Sequence, residues 1–146
     1  EIRLSLVGSE MCIRDRCYSV QVGKNPKIII AGMTKKIEAC YVDTPFAIGV
    51  GVYAIYDFAG YNPFYILGIL NSKSTTYFLT VEFSDKHLAG GYLAIEKSTI
   101  EQFLFPQNVP SDVQQRIADI AKSIHLAKKE NPKSDTATLV SHLHSI

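Results

Sequence analysis

Among its 146 residues the chain has no tryptophan, two methionines and three cysteines, and its charges nearly cancel, 15 Lys+Arg against 14 Asp+Glu. A domain dedicated to nucleic acid ordinarily carries a basic excess, so this balance leaves room only for a local basic patch. There is no CxxC and no His at ligand spacing from a cysteine, which excludes the common zinc modules. Cys17 and Cys40 are expected to be buried thiols of a reducing compartment rather than half of a secreted disulfide framework. Long apolar runs are scarce as well. Residues 45–70 hold a single charge, Asp57, but Gly60 and Asn62-Pro63 split the stretch into pieces well below the ~20 residues that a membrane span needs. A buried strand followed by a buried helix is the reading, with no membrane partner.

The first sixteen residues show no sustained helical or strand period, least of all Met11-Cys12-Ile13-Arg14-Asp15-Arg16. Read back into codons, Leu6 to Asp15 fits CTC GTG GGC TCG GAG ATG TGT ATA AGA GAC, which resembles the end of a transposon-based sequencing adapter. Residues 1–16 are therefore set aside as adapter-derived and expected to contribute nothing to folding. Their three basic and three acidic residues cancel, so the remainder keeps the net charge of +1. Residues 17–109 are expected to form one domain and residues 110–146 a pair of C-terminal helices, in a piece of a longer protein cut at both ends.

Lys27-Ile28-Ile29-Ile30 has the β-branched run of a buried strand, and strand character resumes over Ile37 to Val42 after a basic, turn-like Gly32-Met33-Thr34-Lys35-Lys36. Gly49 to Tyr56 reads as a third strand, whose glycines either bulge it or admit another backbone closely. Asn62-Pro63 opens a helix expected to run on through Leu67, Leu70, Ser74 and Tyr77-Phe78 with its apolar face on the sheet. Gly90-Gly91-Tyr92-Leu93-Ala94-Ile95 makes a turn and a short strand. Ser98-Thr99-Ile100-Glu101 and Ser111-Asp112-Val113-Gln114 both read as capping boxes. The second opens a helix with Val113, Ile117, Ile120, Ala121 and Ile124 on one face. Asn131-Pro132 ends it, and a last helix from Ser134 or Asp135 carries Leu139, Leu143 and Ile146. Two helices so closely joined are expected to form a hairpin. The fold class is α/β (α+β): a small mixed sheet with packed helices and a C-terminal helical hairpin.

The blocks Lys27-Ile28-Ile29-Ile30, Leu70-Asn71-Ser72-Lys73, Lys86-His87-Leu88-Ala89-Gly90-Gly91-Tyr92-Leu93 and Ile100-Glu101-Gln102-Phe103-Leu104-Phe105-Pro106 resemble, in order and spacing, the TaqI-like C-terminal specificity domain. That module follows the catalytic domain of adenine-specific DNA methyltransferases and fused restriction-modification enzymes. Its relatives form the target-recognition domains of type I restriction specificity subunits. The resemblance spans roughly residues 24–106, and the helix over 110–129 matches the one that follows. Ala94 stands where the family often has a basic residue. The resemblance implies a module that recognises double-stranded DNA, in a prokaryotic cytoplasm, beside an upstream methyltransferase domain that would use S-adenosylmethionine.

In such a module phosphate contacts set position while a few loop side chains read base edges. Lys35 and Lys36 in the first loop, Lys86 and His87 before the glycine pair, and Lys73 behind them are the candidate DNA contacts. Each has a plainer alternative. A lysine pair is ordinarily a solvated turn, Asn71-Ser72-Lys73 can be structural within a helix, and His87 beside Asp85 reads as a surface histidine. Gly90-Gly91 reads as a tight turn and Tyr92 as a core position. Lys128 and Lys129 are expected to face away from DNA.

No catalytic machinery accompanies these residues. The six prolines are never doubled, so the Asn/Asp-Pro-Pro-aromatic loop for a flipped adenine is missing, as is a glycine-rich loop for the methyl donor. No GxSxG, Cys-His or nuclease-type carboxylate signature appears. The chain is expected to be non-catalytic and to hold no cofactor or metal itself. Two further readings stay open: a non-enzymatic type I specificity subunit whose C-terminal helices act as spacers docking through Ile117, Ile120 and Ile124, and an unrelated small αβ binding domain.

Overall fold

The computed structural model describes residues 5–7, 26–45, 51–83, 87–88, 90–103 and 105–145; for Ser5–Val7 and His87–Leu88 it describes the backbone alone. Along the chain come β1 (Ser5–Val7), β2 (Lys27–Ala31), β3 (Met33–Thr34), β4 (Ala39–Val42), β5 (Val52–Asp57), α1 (Pro63–Leu70), α2 (Lys73–Glu82), β6 (His87–Leu88), β7 (Tyr92–Ala94), α3 (Lys97–Glu101), α4 (Ser111–Glu130) and α5 (Ala137–His144). One sheet has the order β1-β5-β2-β4, the other β3-β7-β6.

The α+β class holds, but the expected mixed sheet does not: every described pairing is antiparallel. Parallel neighbours need a crossover of a dozen or more residues. Here β2 returns through a short loop into β4, so hairpin geometry prevails. β1 lies within the stretch read as adapter-derived and occupies the sheet edge beside β5, with a register irregularity between Ser5 and Leu6.

Alternation along β2 decides which way the sheet faces. Ile28 and Ile30 are fully buried and pack with Ile55, Tyr65, Ile66 and Leu70. Each such aliphatic side chain contributes roughly 1.5–3 kcal/mol when fully buried. Lys27 heads the same strand and is buried too, its Nζ donating to the Thr44 carbonyl at 3.2 Å. Burial pushes its pKa below the ordinary lysine value. Cys40, across from Ile29 on β4, is an exposed free thiol rather than the expected buried one. Its position in the alternation puts it on the sheet face opposite Ile28 and Ile30. Cys17 lies outside the described residues.

Gly32 joins the two sheets. Its N–H donates to the Gly51 carbonyl at 2.9 Å, and its own carbonyl accepts from Ile95 at 2.8 Å. A Cβ at Gly32 would stand 2.8 Å from the Gly51 oxygen, so the close backbone approach anticipated for the glycines before β5 is made there.

Asn62 caps α1 as expected, its Oδ1 accepting from Phe64 N at 2.9 Å with Pro63 in the first turn. The single long helix expected from Asn62 onward is two helices. It breaks at Asn71-Ser72, where Ser72 becomes the N-cap of α2 and its Oγ accepts from Thr75 N at 3.1 Å. The restart turns Ser74 and Tyr77 outward instead of along the face of Leu67 and Leu70, while Thr75 and Leu79 face the core. Phe78 packs on Phe103, and Phe103 on Phe105, with centroids 5.8 and 4.9 Å apart.

Both expected capping boxes shift. On α3 the reciprocal pair is Glu96 and Thr99, not Ser98 and Glu101; Glu101 instead reaches Lys97 one turn away at 3.7 Å. On α4 the N-cap is Pro110, and the Gln114 side chain donates to the Val109 carbonyl at 2.8 Å. α4 then lays Ile117, Ala118 and Ala121 on α1. The fit depends on Gly68, where a Cβ would come within 2.6 Å of Ile117 Cγ2. α5 packs back on α4 as the expected hairpin, with no buried residue of its own and Leu143 as its contact with the core.

Candidate nucleic-acid interface

The lysine pair of the first loop divides between two surfaces. Buried Thr34 donates its hydroxyl to the Lys36 carbonyl at 2.7 Å, a local side-chain turn that fixes the loop. Lys35 Nζ then lies 5.2 Å from the centroid of the Tyr92 ring, within cation–π range. The β3–β7 pairing brings them together: Met33 faces Ala94 and Thr34 faces Leu93. Strand alternation therefore puts Thr34 and Leu93 on the core side, and Met33 and Tyr92 on the outside. Tyr92 is thus not the core position expected from sequence: it is 40% exposed, beside Met33 at 66%. Leu93 and Ile95 take the core positions instead. Gly90 and Gly91 make the turn into β7 at φ of 81° and 76°, a left-handed geometry that glycine adopts without strain.

Lys36 belongs to a second surface, an open groove of about 1040 Å³ that bends round the outer edge of β4 toward α2, α4 and α5. Lys73, the first residue of α2, lines it as well. So does Lys128. The end of α4 brings it there, and its Nζ donates to the Ser134 carbonyl at 2.6 Å. Lys129 pairs with Asp43 at 3.7 Å. Among the described residues, Glu38 supplies the acidic side chain of the lining. Of the remaining candidates, Lys86 lies outside the described residues, and His87 is placed by its backbone pairing with Leu93.

The sequence reading did not single out His125, and it placed Tyr77 only within a helix, not at a site. His125 closes a three-ring cluster with Tyr41 and Phe64: its ring is 5.7 Å from each, and theirs are 4.8 Å apart. Burial, then the nearby Lys129 charge, hold its pKa below the ordinary histidine value, with Asp43 acting the other way. The signal was present, because His125 continues the stripe of Ile117 and Ala121 at four-residue steps. Tyr77 lines the groove while remaining 72% exposed. It stands four residues after Lys73, the spacing at which helix side chains are neighbours.

Among the described residues no group of three or more His, Cys, Asp or Glu could hold a metal ion, and no helix is long and apolar enough to cross a membrane. The arrangement offers cations and exposed rings, suited to binding a polyanion. No protein-family model matches the chain, and no curated protein sequence matches it.

Proposed function

We propose that the chain is a DNA target-recognition module, with double-stranded DNA as its partner and the Lys35–Tyr92 surface as its contact. The observation that carries this reading is the exposed cation–π pair itself, held by two strands and a double-glycine turn. Lysine supplies phosphate attraction at that edge, while Tyr92 and Met33 offer a rigid apolar surface to a groove. In the parent protein, by resemblance to the TaqI-like specificity domain, an adenine-methylating domain would precede it. That domain would hold S-adenosylmethionine, in a prokaryotic cytoplasm. In the type I specificity-subunit reading the docking stripe is Ile117, Ile120 and Ile124, of which Ile117 is buried against α1 while Ile120 and Ile124 are half-buried.

Duplex binding measured by fluorescence anisotropy across a salt series tests the proposal. The expected slope of log affinity against log salt is about −2 to −4, and Lys35→Ala should flatten it by about 0.9 for one phosphate contact. Tyr92→Ala should weaken binding while leaving the slope in place. Arg116→Ala with Lys122→Ala is the control, since both are exposed on α4 and neither lines the groove. Equal losses from the control and from Lys35→Ala would mean diffuse charge attraction and would overturn the reading.

A further inference from the structure

We propose that the groove along β4 binds a short single-stranded nucleic-acid segment, with Tyr77 stacking on a base and Lys36 and Lys73 meeting the flanking phosphates. This rests on the nucleic-acid reading above, but concerns a different surface and a different form of the ligand.

The chemistry of the groove selects the occupant. Among the described residues, the lysine and carboxylate side chains of its lining are three lysines and one glutamate, a local excess of positive charge on a chain whose net charge is +1. That excess complements a polyanion. Beside Lys73 stands a tyrosine ring that solvent reaches over most of its surface. Duplex DNA hides its base faces within the stack, whereas a single strand offers each face to an aromatic side chain. A ring and an ammonium group at adjacent positions on one helix face therefore suit an unpaired nucleotide: base on ring, phosphate on lysine. The volume of about 1040 Å³ lies just above the ~300–1,000 Å³ range that single small ligands occupy. Such space suits several linked nucleotides better than one. Leu67, Ile124 and Val140 supply apolar wall, against which the sugars and bases can lie.

The experiment uses the 146-residue chain with a fluorescein-labelled oligothymidylate of about six nucleotides, near the low end of single-strand site sizes. Tyr77→Ala is expected to weaken its binding by about 5- to 150-fold, the range of one lost stacking contact, and Tyr77→Phe to preserve it. Lys36→Ala and Lys73→Ala should each reduce the salt slope by about 0.7, and Glu38→Gln should tighten binding. Tyr77 is largely exposed, so circular dichroism should show an unchanged fold in both of its variants.

The arms separate this inference from the duplex reading. Tyr77→Ala should leave duplex affinity unchanged, and Tyr92→Ala should leave oligothymidylate affinity unchanged. Duplex binding without oligothymidylate binding overturns the groove proposal alone; loss of both overturns both. Thymidine monophosphate binding as tightly as the oligomer would show a mononucleotide site instead of a strand site. Oligothymidylate binding that Tyr77→Ala does not weaken, or that Arg116→Ala with Lys122→Ala weakens equally, would refute the stacking site. Capture of an acidic amphipathic peptide with no oligothymidylate binding would assign the groove to a protein partner.

Discussion

The side-chain amide of Asn71 pairs with the backbone of Ala39 on both sides: its Oδ1 accepts from Ala39 N at 3.0 Å, and its Nδ2 donates to Ala39 O at 2.9 Å. One side chain thus acts as a short substitute strand on the outer edge of β4, and it does so at the break between α1 and α2. Edge strands carry unpaired donors and acceptors that attract other chains; this contact satisfies two of them and fixes the groove wall on which Lys73 stands.

Asn71→Leu removes both bonds while keeping similar bulk. At about 0.5–1.5 kcal/mol for each net hydrogen bond, the urea midpoint should fall by the equivalent of about 1–3 kcal/mol. Asn71→Asp keeps the acceptor but places a carboxylate against the Ala39 carbonyl, so it should recover less than half of the loss. Equal stability of wild type and Asn71→Leu would show that water replaces the amide without cost.

Gly68 admits α4 to α1. Gly68→Ala should cost about 1–3 kcal/mol, the usual range for overpacking, because Ile117 Cγ2 stands 2.6 Å from the added methyl group and Ala121 Cβ 3.5 Å. Ile117→Ala in the same chain removes the clash, so the double variant should be more stable than the two single losses added together. Strict additivity would place the strain elsewhere.

His125 makes stability depend on pH with a definite sign. Its folded pKa lies below the ordinary 6.5, so between the two values the unfolded chain binds more protons and stability rises with pH. The contribution is complete above pH 6.5 and is lost as pH falls through the folded value. Melting temperatures measured downward from pH 7.5 should drop through this window. His125→Phe, which keeps a ring against Tyr41 and Phe64, should flatten that part of the profile; an unchanged profile would mean another group carries the dependence.

Removing residues 1–16 should leave the circular dichroism of the chain intact while amides of β5 exchange faster. β1 pairs with β5 over three residues with a register irregularity, and edge pairing of this kind rests on backbone groups that many extended sequences can supply. Loss of the folded circular dichroism signal after the deletion would make β1 integral to the fold and would contradict its reading as adapter-derived sequence.

Residues whose local chemistry leaves few choices were legible without the structure. The Ile28-Ile29-Ile30 strand, the Asn62-Pro63 helix start, the double-glycine turn and the Ile117-Ala121 stripe each follow from a β-branched run, a cap or a period. The capping boxes were less secure, because Ser, Thr, Glu and Gln recur so closely that several registers satisfy the same pattern. Where a helix breaks was hidden for another reason. Leu70 to Phe78 is compatible with continuous helix, and only the backbone of Ala39, 32 residues away, gives Asn71 something better to bond than its own turn.

The candidate surfaces divide in the same way. Lysines in the loop after β2 and before the glycine pair could be nominated from the chain alone, since a short polar loop exposes its cations whatever surrounds it. Which cations share a surface is a property of the tertiary structure. The Thr34 hydroxyl and the pairing of β3 with β7 send Lys35 to Tyr92, whereas Lys36 joins Lys73 and Lys128 along the β4 edge. Sequence by itself determined the β2 strand, the start of α1 and the apolar stripe of α4, because those depend on neighbours one to four residues away. The tertiary structure decided that Tyr92 and Tyr77 stay outside and that His125 goes in, because burial depends on what packs from across the chain.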